Sequence, residues 1–263
     1  TAYEIYQCDW SSDVCSSDLP LEPPPRGGCV QGLRAGTPGG VCQGRETRGD
    51  ATEHQGTVVI ALIDYGAGNL TSVKKALSAL GAEFVVPESP DAIIGASGVI
   101  VPGVGHFGVT EALVGAWQRA IGAATDAGTP LLGICVGMQW LFEGSEEAPE
   151  VPGLGALAGR VRRLKGDAEQ RIKVPHVGWN ALAMPRPSRL LDGLTPGAYV
   201  YFTHSYAAPV TGDCVGATSH GETFAAAVER GTVFGVQFHP EKSGDAGLRI
   251  LRNFLNTCTE SPC

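Results

Sequence analysis

The sequence predicts an α/β fold, in which a doubly wound, mixed but mostly parallel sheet is flanked by helices. From Thr57 onward, short apolar runs rich in β-branched residues alternate with segments of helical spacing. The early runs are unbroken by polar residues, which is typical of parallel strands buried on both faces. No internal repeat interrupts the pattern. We therefore expect one domain over residues 57–257 and a short tail at 258–263.

The predicted elements begin with a strand in "TVVIALIDYG" and a helix in "NLTSVKKALSALG", with Asn69 as its N-cap and Gly81 at its end. The apolar stripe of this helix consists of Leu70, Val73, Leu77 and Leu80. "SGVIVPG" predicts a strand, "FGVTEALVGAWQRAIGAATDAG" one long helix, "PLLGIC" a strand and "VGMQWLFEG" the start of a helix. Further strands are predicted in "AGRVRRLK", "AYVYF", "CVGATS", "TFAAAVER" and "TVFGVQF", before a last helix near residues 244–257.

Residues 1–56 differ in character, since they lack a hydrophobic period and are broken by proline and glycine. We expect this segment to be disordered or non-native. Its stretch "CDWSSDVCSSDL" resembles a translated sequencing adapter, a hypothesis that resequencing would test. Four of the eight cysteines fall in it and we expect them to have no function, namely Cys8, Cys15, Cys29 and Cys42.

Composition excludes several classes of function. The net charge of −8 provides no basic stripe for nucleic acid or anionic lipid, and no apolar run approaches the ~20 residues of a membrane span. Without a signal peptide or a C-x-x-C pair, we expect a soluble cytoplasmic protein with free thiols. No metal-ligand spacing and no glycine-rich dinucleotide motif is visible, so we expect neither a metal nor a cofactor.

Cys135 is the first candidate for chemistry. It follows an apolar run, and Gly133 and Gly137 flank it in G-x-C-x-G spacing. A sharp turn from strand to helix requires small residues at these two positions, and it aims the thiol at a helix N-terminus, whose dipole favours the thiolate. The backbone N–H of Val136 could then stabilise an oxyanion. The alternative is a buried core cysteine.

His239 is the candidate base for this thiol. It ends the run "VFGVQFHPE", and Glu241 two residues on would share its face if the strand continued. The alternative is a histidine at a strand end beside an unrelated surface glutamate. The glycine loop in "VIVPGVGHFG" could bring further N–H groups to a substrate carbonyl, although an ordinary glycine turn has the same pattern.

Together these motifs resemble the class I (triad) glutamine amidotransferases, and among them the glutaminase subunits of imidazole glycerol phosphate synthase. The motifs "DYGAGNL", "PGVGHFG", "GICVGMQWLFEGSEE", "KVPHVGWN", "YFTHSY" and "QFHPEKS" occur in the order of that family. The resemblance covers residues 58–256. It implies a flavodoxin-like arrangement and a Cys-His-Glu triad that hydrolyses glutamine to glutamate and ammonia.

The resemblance also implies roles for particular residues. Cys135 would be the nucleophile, His239 the proton shuttle and Glu241 its orienting group, with N–H groups of Val104 and Val136 as oxyanion donors. The residues implied to hold glutamine are Gly105, Gln139, Glu147, His204, Ser205 and Tyr206. For Glu147, a solvated charge run in "EGSEEAPE" is the alternative.

A partner subunit is implied as well, a (β/α)₈ barrel cyclase that consumes the ammonia in histidine biosynthesis and forms a heterodimer with this chain. Residues that resemble the docking face are Asn69, His176, Trp179, Tyr201 and Lys242, although Trp179 could equally be a core aromatic. The alternatives are a glutaminase of pyridoxal phosphate or purine synthesis, a catalytically silent binding domain of the same fold, and a cysteine peptidase.

Overall fold

A computed structural model describes residues 58–67, 70–169 and 171–259 of the chain. The predictions for residues 1–56 and for Asn69 lie outside the described residues. The strands are β1 Val59–Leu62, β2 Glu83–Val85, β3 Gly98–Gly103, β4 Leu131–Cys135, β5 Gly144–Ser145, β6 Ala148–Pro152, β7 Arg162–Arg163, β8 His176–Ala181, β9 Tyr199–His204, β10 Tyr206–Ala207, β11 Cys214–His220, β12 Glu222–Arg230 and β13 Val233–Val236. The α-helices are α1 Leu70–Ala79, α2 Ala116–Asp126, α3 Val136–Trp140 and α4 Gly244–Thr259.

Seven of these strands form the central sheet, in the order β11-β12-β13-β4-β3-β1-β2. The five strands from β13 to β2 pair in parallel, whereas β12 and β11 extend the sheet with antiparallel pairs. The parallel part has the doubly wound order 2-1-3-4-5, whose ligands bind beyond the carboxyl ends of the strands. The predicted mixed, mostly parallel sheet is confirmed.

Both faces of the sheet are buried, which explains the unbroken apolar runs. Alternate residues of β1 point to opposite faces, with Ile60 and Leu62 in one core cluster and Ala61 in the other. The first cluster includes apolar residues of α1 and α4, and the second includes residues of α2 and α3. Three small two-stranded sheets lie outside the central one: β5 with β6, β7 with β10, and β8 with β9.

Two predicted elements differ from the structure, and one strand was not predicted. The long helix over residues 107–128 is two elements, a 3₁₀ helix Phe107–Leu113 and α2, because Gly115 between them has a φ of 93° that no α-helix accommodates. The strand predicted in "AGRVRRLK" is reduced to the two residues of β7. The unpredicted strand is β8, which contains Gly178 and follows Pro175, both poor strand formers.

The turn from β4 to α3 leaves no room at the two flanking glycines. A Cβ atom on Gly133 would lie 2.6 Å from the Gly137 carbonyl oxygen, and one on Gly137 would collide with the Val101 carbonyl of the neighbouring strand β3. The steric reason given above for the G-x-C-x-G spacing is therefore confirmed.

We predict that Gly137→Ala destabilises the chain by about 2 kcal/mol or more, because overpacking against backbone cannot relax through side-chain motion. Gly122→Ala is the matched control, since Gly122 lies inside α2 with nothing within 4 Å of its Cβ position. It should stabilise the chain by about 0.5 kcal/mol, because alanine is the better helix former. Urea unfolding followed by circular dichroism measures both, and equal stabilities of the two variants would contradict the steric argument.

Candidate active site

Cys135 occupies the sharp turn that the sequence predicted. It ends β4, serves as the N-cap of α3, and has a φ of 55°, a left-handed conformation that is costly for a residue with a side chain. Its side chain lies at the carboxyl edge of the sheet and the residue is 3% exposed. The N–H of Val136 is the first of α3 and has no acceptor within the helix, so it is available beside the thiol.

His239 and Glu241 lie together in the interior. His239 Nδ1 is 2.8 Å from Glu241 Oε1, and both side chains are 1% exposed. The predicted reason for their contact was wrong, because β13 ends at Val236 and the two residues do not alternate along a strand. Instead, Pro240–Lys242 forms a 3₁₀ turn with His239 as its N-cap, and this turn folds Glu241 back onto the imidazole.

The backbone of His239 is fixed by strand β9. Its N–H donates to the Tyr201 carbonyl at 2.9 Å, and its carbonyl accepts from Ser243 Oγ at 2.6 Å. Ser243 Oγ in turn accepts from the Tyr201 N–H at 3.0 Å. The position of the imidazole therefore depends on the β8–β9 hairpin as well as on the central sheet.

His239 is held in its charged form. Burial by itself lowers the pKa of His239, but the negative charge of Cys135, hydrogen bonds to Cys135 and Glu241, and the charge of Glu241 outweigh it and raise this pKa to about 10. Since Nδ1 is bonded to Glu241, the interaction with Cys135 involves Nε2. The contact between His239 Nε2 and Cys135 is looser than an ordinary hydrogen bond, since the buried Nε2 has no partner within hydrogen-bond geometry. The imidazole is therefore protonated at neutral pH, with the carboxylate on one nitrogen and the sulfur on the side of the other.

The glycine loop follows the strand beside Cys135. Gly103 at the end of β3 pairs in register with Cys135, and Gly105 has a φ of 94°. The N–H of Val104, expected to be an oxyanion donor, instead donates to the Ala67 carbonyl at 2.9 Å. In this conformation, therefore, Val104 offers no hydrogen bond to a group bound at Cys135.

The residues expected to hold glutamine have partners within the chain. Gln139 Nε2 donates to the Tyr206 carbonyl at 2.9 Å, and Glu147 Oε2 accepts from the Phe107 N–H at 2.7 Å. The Ser205 carbonyl accepts from the Leu164 N–H at 2.9 Å. Glu147 thus holds the first residue of the 3₁₀ helix that follows the glycine loop, and its alternative as a solvated surface charge is excluded because it is partly buried and bonded.

Two of the predicted histidines are interior residues. His176 is 4% exposed and His204 7%, and they contact Phe202, Phe224 and each other. His176 had been predicted to lie on the docking face, and this is wrong for its side chain, which is buried. The His204 imidazole bonds to the Tyr206 carbonyl. Burial lowers the pKa of His176 to about 3 and that of His204 to about 4, so both rings are neutral at pH 7.

The other docking candidates lie near the surface. Trp179 and Tyr201 are half-buried, face each other across β8 and β9, and have ring centroids 6.0 Å apart. Lys242 is half-buried in the turn that carries Glu241. Among the described residues, no three His, Cys, Asp or Glu side chains are grouped so that they could hold a metal ion. None of the helices in the described ranges is long and apolar enough to cross a membrane.

Two further residues, not predicted from the sequence, adjoin Cys135. Gln237 is fully buried and donates from Nε2 to the Cys135 sulfur at 3.7 Å. Tyr65 follows β1, and its hydroxyl lies against Gly103. Burial and the charge of Cys135 both raise the pKa of Tyr65. The signal for Gln237 was a polar residue within the otherwise apolar run "TVFGVQF".

We predict that His239 stays protonated at pH 8, while His176 and His204 are neutral there. A folded pKa above the free value of 6.5 means that the charged form stabilises the fold below about pH 6.5, and that this contribution is lost as the pH rises through about 10. Cys135→Ala should lower the pKa of His239, because it removes a negative charge and leaves the effect of burial. Imidazole NMR titration measures this, and an unchanged His239 titration in the variant would contradict the ion pair.

The chain is similar to known proteins of one family. A family model described as "Glutamine amidotransferase class-I" matches residues 61–258. The chain is 48% identical over 201 residues to the imidazole glycerol phosphate synthase subunit HisH of Moorella thermoacetica, covering 74% of this chain and 93% of that one. It is 49% identical to the HisH subunit of Deinococcus radiodurans, covering 74% of this chain and 92% of that one.

Solved structures share the fold at lower identity. The structure of PurLQS from Thermotoga maritima superimposes with a TM-score of 0.61 at 19% identity, covering 76% of this chain and 98% of that chain. The crystal structure of a glutamine amidotransferase superimposes with a TM-score of 0.60 at 22% identity, covering 76% of this chain and 98% of that chain. The match over most of the chain and the close HisH relatives lead to one conclusion: the chain belongs to the class-I glutamine amidotransferase family.

Proposed function

We propose that this chain is the glutaminase subunit of an imidazole glycerol phosphate synthase, which hydrolyses L-glutamine and passes ammonia to a cyclase subunit for histidine biosynthesis. The observation that carries the proposal is the buried group of Cys135, His239 and Glu241 at the carboxyl edge of the sheet. The names of the two relatives, both subunits of imidazole glycerol phosphate synthase, support the assignment to this enzyme.

The reaction begins with the protonated His239 beside the sulfur of Cys135. The Cys135 thiolate attacks the carboxamide carbon of glutamine, and the carbonyl oxygen becomes the oxyanion of a tetrahedral intermediate. His239 gives its Nε2 proton to the leaving nitrogen, so that the C–N bond breaks, ammonia departs and a γ-glutamyl thioester remains. The now neutral imidazole takes a proton from water, whose oxygen attacks the thioester and releases glutamate. Glu241 holds the imidazole by Nδ1 and stabilises its charge in both steps.

The substrate contacts follow from the chemistry of the neighbouring groups. Glu147 has a second carboxylate oxygen besides the one bound to Phe107, and it suits the α-ammonium group of glutamine. Gln139 retains its side-chain oxygen as an acceptor. Backbone groups of Gly105, Ser205 and Tyr206 are the further candidates for binding the amino-acid end.

The geometry also supports a low activity of the chain alone. Cys135 and His239 are almost fully buried, and the Val104 N–H is engaged with Ala67. Release of that N–H would complete the oxyanion hole together with Val136. Loss of one oxyanion donor costs roughly 100- to 1,000-fold in turnover. We propose that binding of the cyclase subunit and its ligand releases it.

The docking face for this partner is proposed on the β8–β9 hairpin and the adjoining 3₁₀ turn. Trp179 and Tyr201 supply aromatic surface there, and Lys242 a cation two residues after the start of the turn. Half-buried aromatic residues are the typical anchors of interfaces. The Tyr201 carbonyl also accepts from the His239 N–H, so a partner that moves Tyr201 would move the backbone of His239 as well.

We predict a feeble glutaminase that a cyclase subunit with its ribonucleotide ligand stimulates by roughly 100-fold or more, since one oxyanion donor becomes available. The measurement is glutamate release by the purified chain, with and without the partner. Cys135→Ala should abolish the activity in both states, and Glu241→Gln should lower kcat by at least ~100-fold, because the imidazolium loses its counter-charge. Fast turnover without the partner would refute the proposed activation by the cyclase subunit. Stimulated turnover by Cys135→Ala would refute Cys135 as the nucleophile.

We also predict that Trp179→Ala weakens cyclase binding by roughly 30-fold, because a central aromatic anchor contributes about 2 kcal/mol or more to an interface. Trp117→Ala is the matched control, since Trp117 is equally half-buried but lies on α2. Titration calorimetry with the cyclase subunit compares them. A docking face elsewhere would be indicated by equal affinities of the two variants.

A further inference from the structure

We propose that Gln237 is a positioning residue for the Cys135 sulfur, and that a chain of hydrogen bonds through Gln139 and His204 connects it to the β8–β9 hairpin. The inference rests on the proposed role of Cys135 as the nucleophile. It concerns a residue that lies outside the triad, the oxyanion donors and the substrate contacts described above.

Gln237 stands between the end of β13 and His239. Its side chain is fully buried, with Nε2 3.7 Å from Cys135 Sγ and Oε1 3.1 Å from Gln139 Nε2. A buried amide is costly unless both of its ends are bonded. Here both ends are bonded, and one of the partners is the sulfur.

The direction of these bonds follows from one fixed acceptor. The Tyr206 carbonyl can only accept, so the atom of Gln139 beside it is the amide nitrogen. The same nitrogen faces Gln237, which must therefore present its oxygen to Gln139 and its nitrogen to Cys135. The sulfur consequently receives an N–H donor, and a donor stabilises the thiolate relative to the thiol.

The chain continues into the hairpin by the same reasoning. His204 Nδ1 donates to the Tyr206 carbonyl at 2.9 Å, so Nε2 of the neutral ring accepts from His176 Nδ1 at 3.1 Å. His176 Nε2 then accepts from Asn180 Nδ2 at 3.4 Å. The low pKa values of His204 and His176, about 4 and about 3, keep both rings neutral. The Tyr206 carbonyl fixes the tautomer of His204, and the bond from His176 to His204 fixes that of His176. Asn180 follows Trp179 in β8, so the chain of bonds ends beside the proposed docking face.

This network assigns Gln139 a second role. Both hydrogens of its amide nitrogen are used, one by Tyr206 and one by Gln237, so it holds Gln237 in place before any substrate binds. A residue that served glutamine binding alone would change KM and leave the reactivity of the free thiol unaltered. A positioning residue changes the reactivity of the thiol without substrate.

The test is the pH profile of Cys135 alkylation by iodoacetamide without glutamine, measured on the full chain by peptide mass spectrometry. Gln237→Met removes the donor at similar volume, and it should slow alkylation at pH 7 by roughly tenfold and move the profile to higher pH. Gln139→Met should also slow alkylation and move the profile to higher pH, but by a smaller amount than Gln237→Met. The double variant should be no slower than Gln237→Met, because Gln139 acts through Gln237.

Gln118→Met is the matched control, since Gln118 Nε2 also donates to a carbonyl, that of Gly153, away from Cys135. It should leave the profile unchanged. Gln237→Glu is a second variant of nearly the same shape, and it should slow alkylation more than Gln237→Met because a carboxylate repels the thiolate. A native profile in Gln237→Met, or additive effects in the double variant, would overturn the inference. A Cys135 that is unreactive both in the native chain and in its complex with the cyclase subunit would instead refute the proposed nucleophile.

Discussion

The turn between β4 and α3 is the constraint on which the site depends. It requires two glycines packed against backbone, and it holds Cys135 at a positive φ that the surrounding sheet must enforce. In return, the thiol sits at the carboxyl edge of a parallel sheet, between the glycine loop after β3 and the turn after β13. The topology brings residues about 100 positions apart into one site because neighbouring parallel strands end at the same edge.

The charge of His239 depends on the two side chains that face it inside the protein. A histidine removed from water would ordinarily be neutral, as His176 and His204 are, yet His239 is held positive because Cys135 and Glu241 face its two nitrogens. The same hairpin that carries the neutral histidines fixes the backbone of His239 and, through Gln139 and Gln237, reaches the sulfur. The triad is thereby connected to the surface where a partner is proposed to dock.

The sequence predicted the parts of the fold that depend on local pattern. Unbroken apolar runs gave the parallel strands, and the G-x-C-x-G spacing gave the turn at Cys135. The contact of His239 with Glu241 was predicted for the wrong reason, since a 3₁₀ turn replaces the expected strand. The hydrogen bonds of Gln237 and the engagement of the Val104 N–H with Ala67 could not be predicted, because they depend on strand order and on backbone geometry between distant segments.

A covalent intermediate is the most direct sign of the proposed chemistry. The complex of this chain with a cyclase subunit and its ribonucleotide ligand would be mixed with glutamine, quenched in acid and digested for peptide mass spectrometry. A γ-glutamyl adduct on the peptide that contains Cys135 is the expected result, formed only while glutamine is being turned over. Glutamate release with no adduct on that peptide, or with an adduct on another cysteine, would contradict Cys135 as the nucleophile.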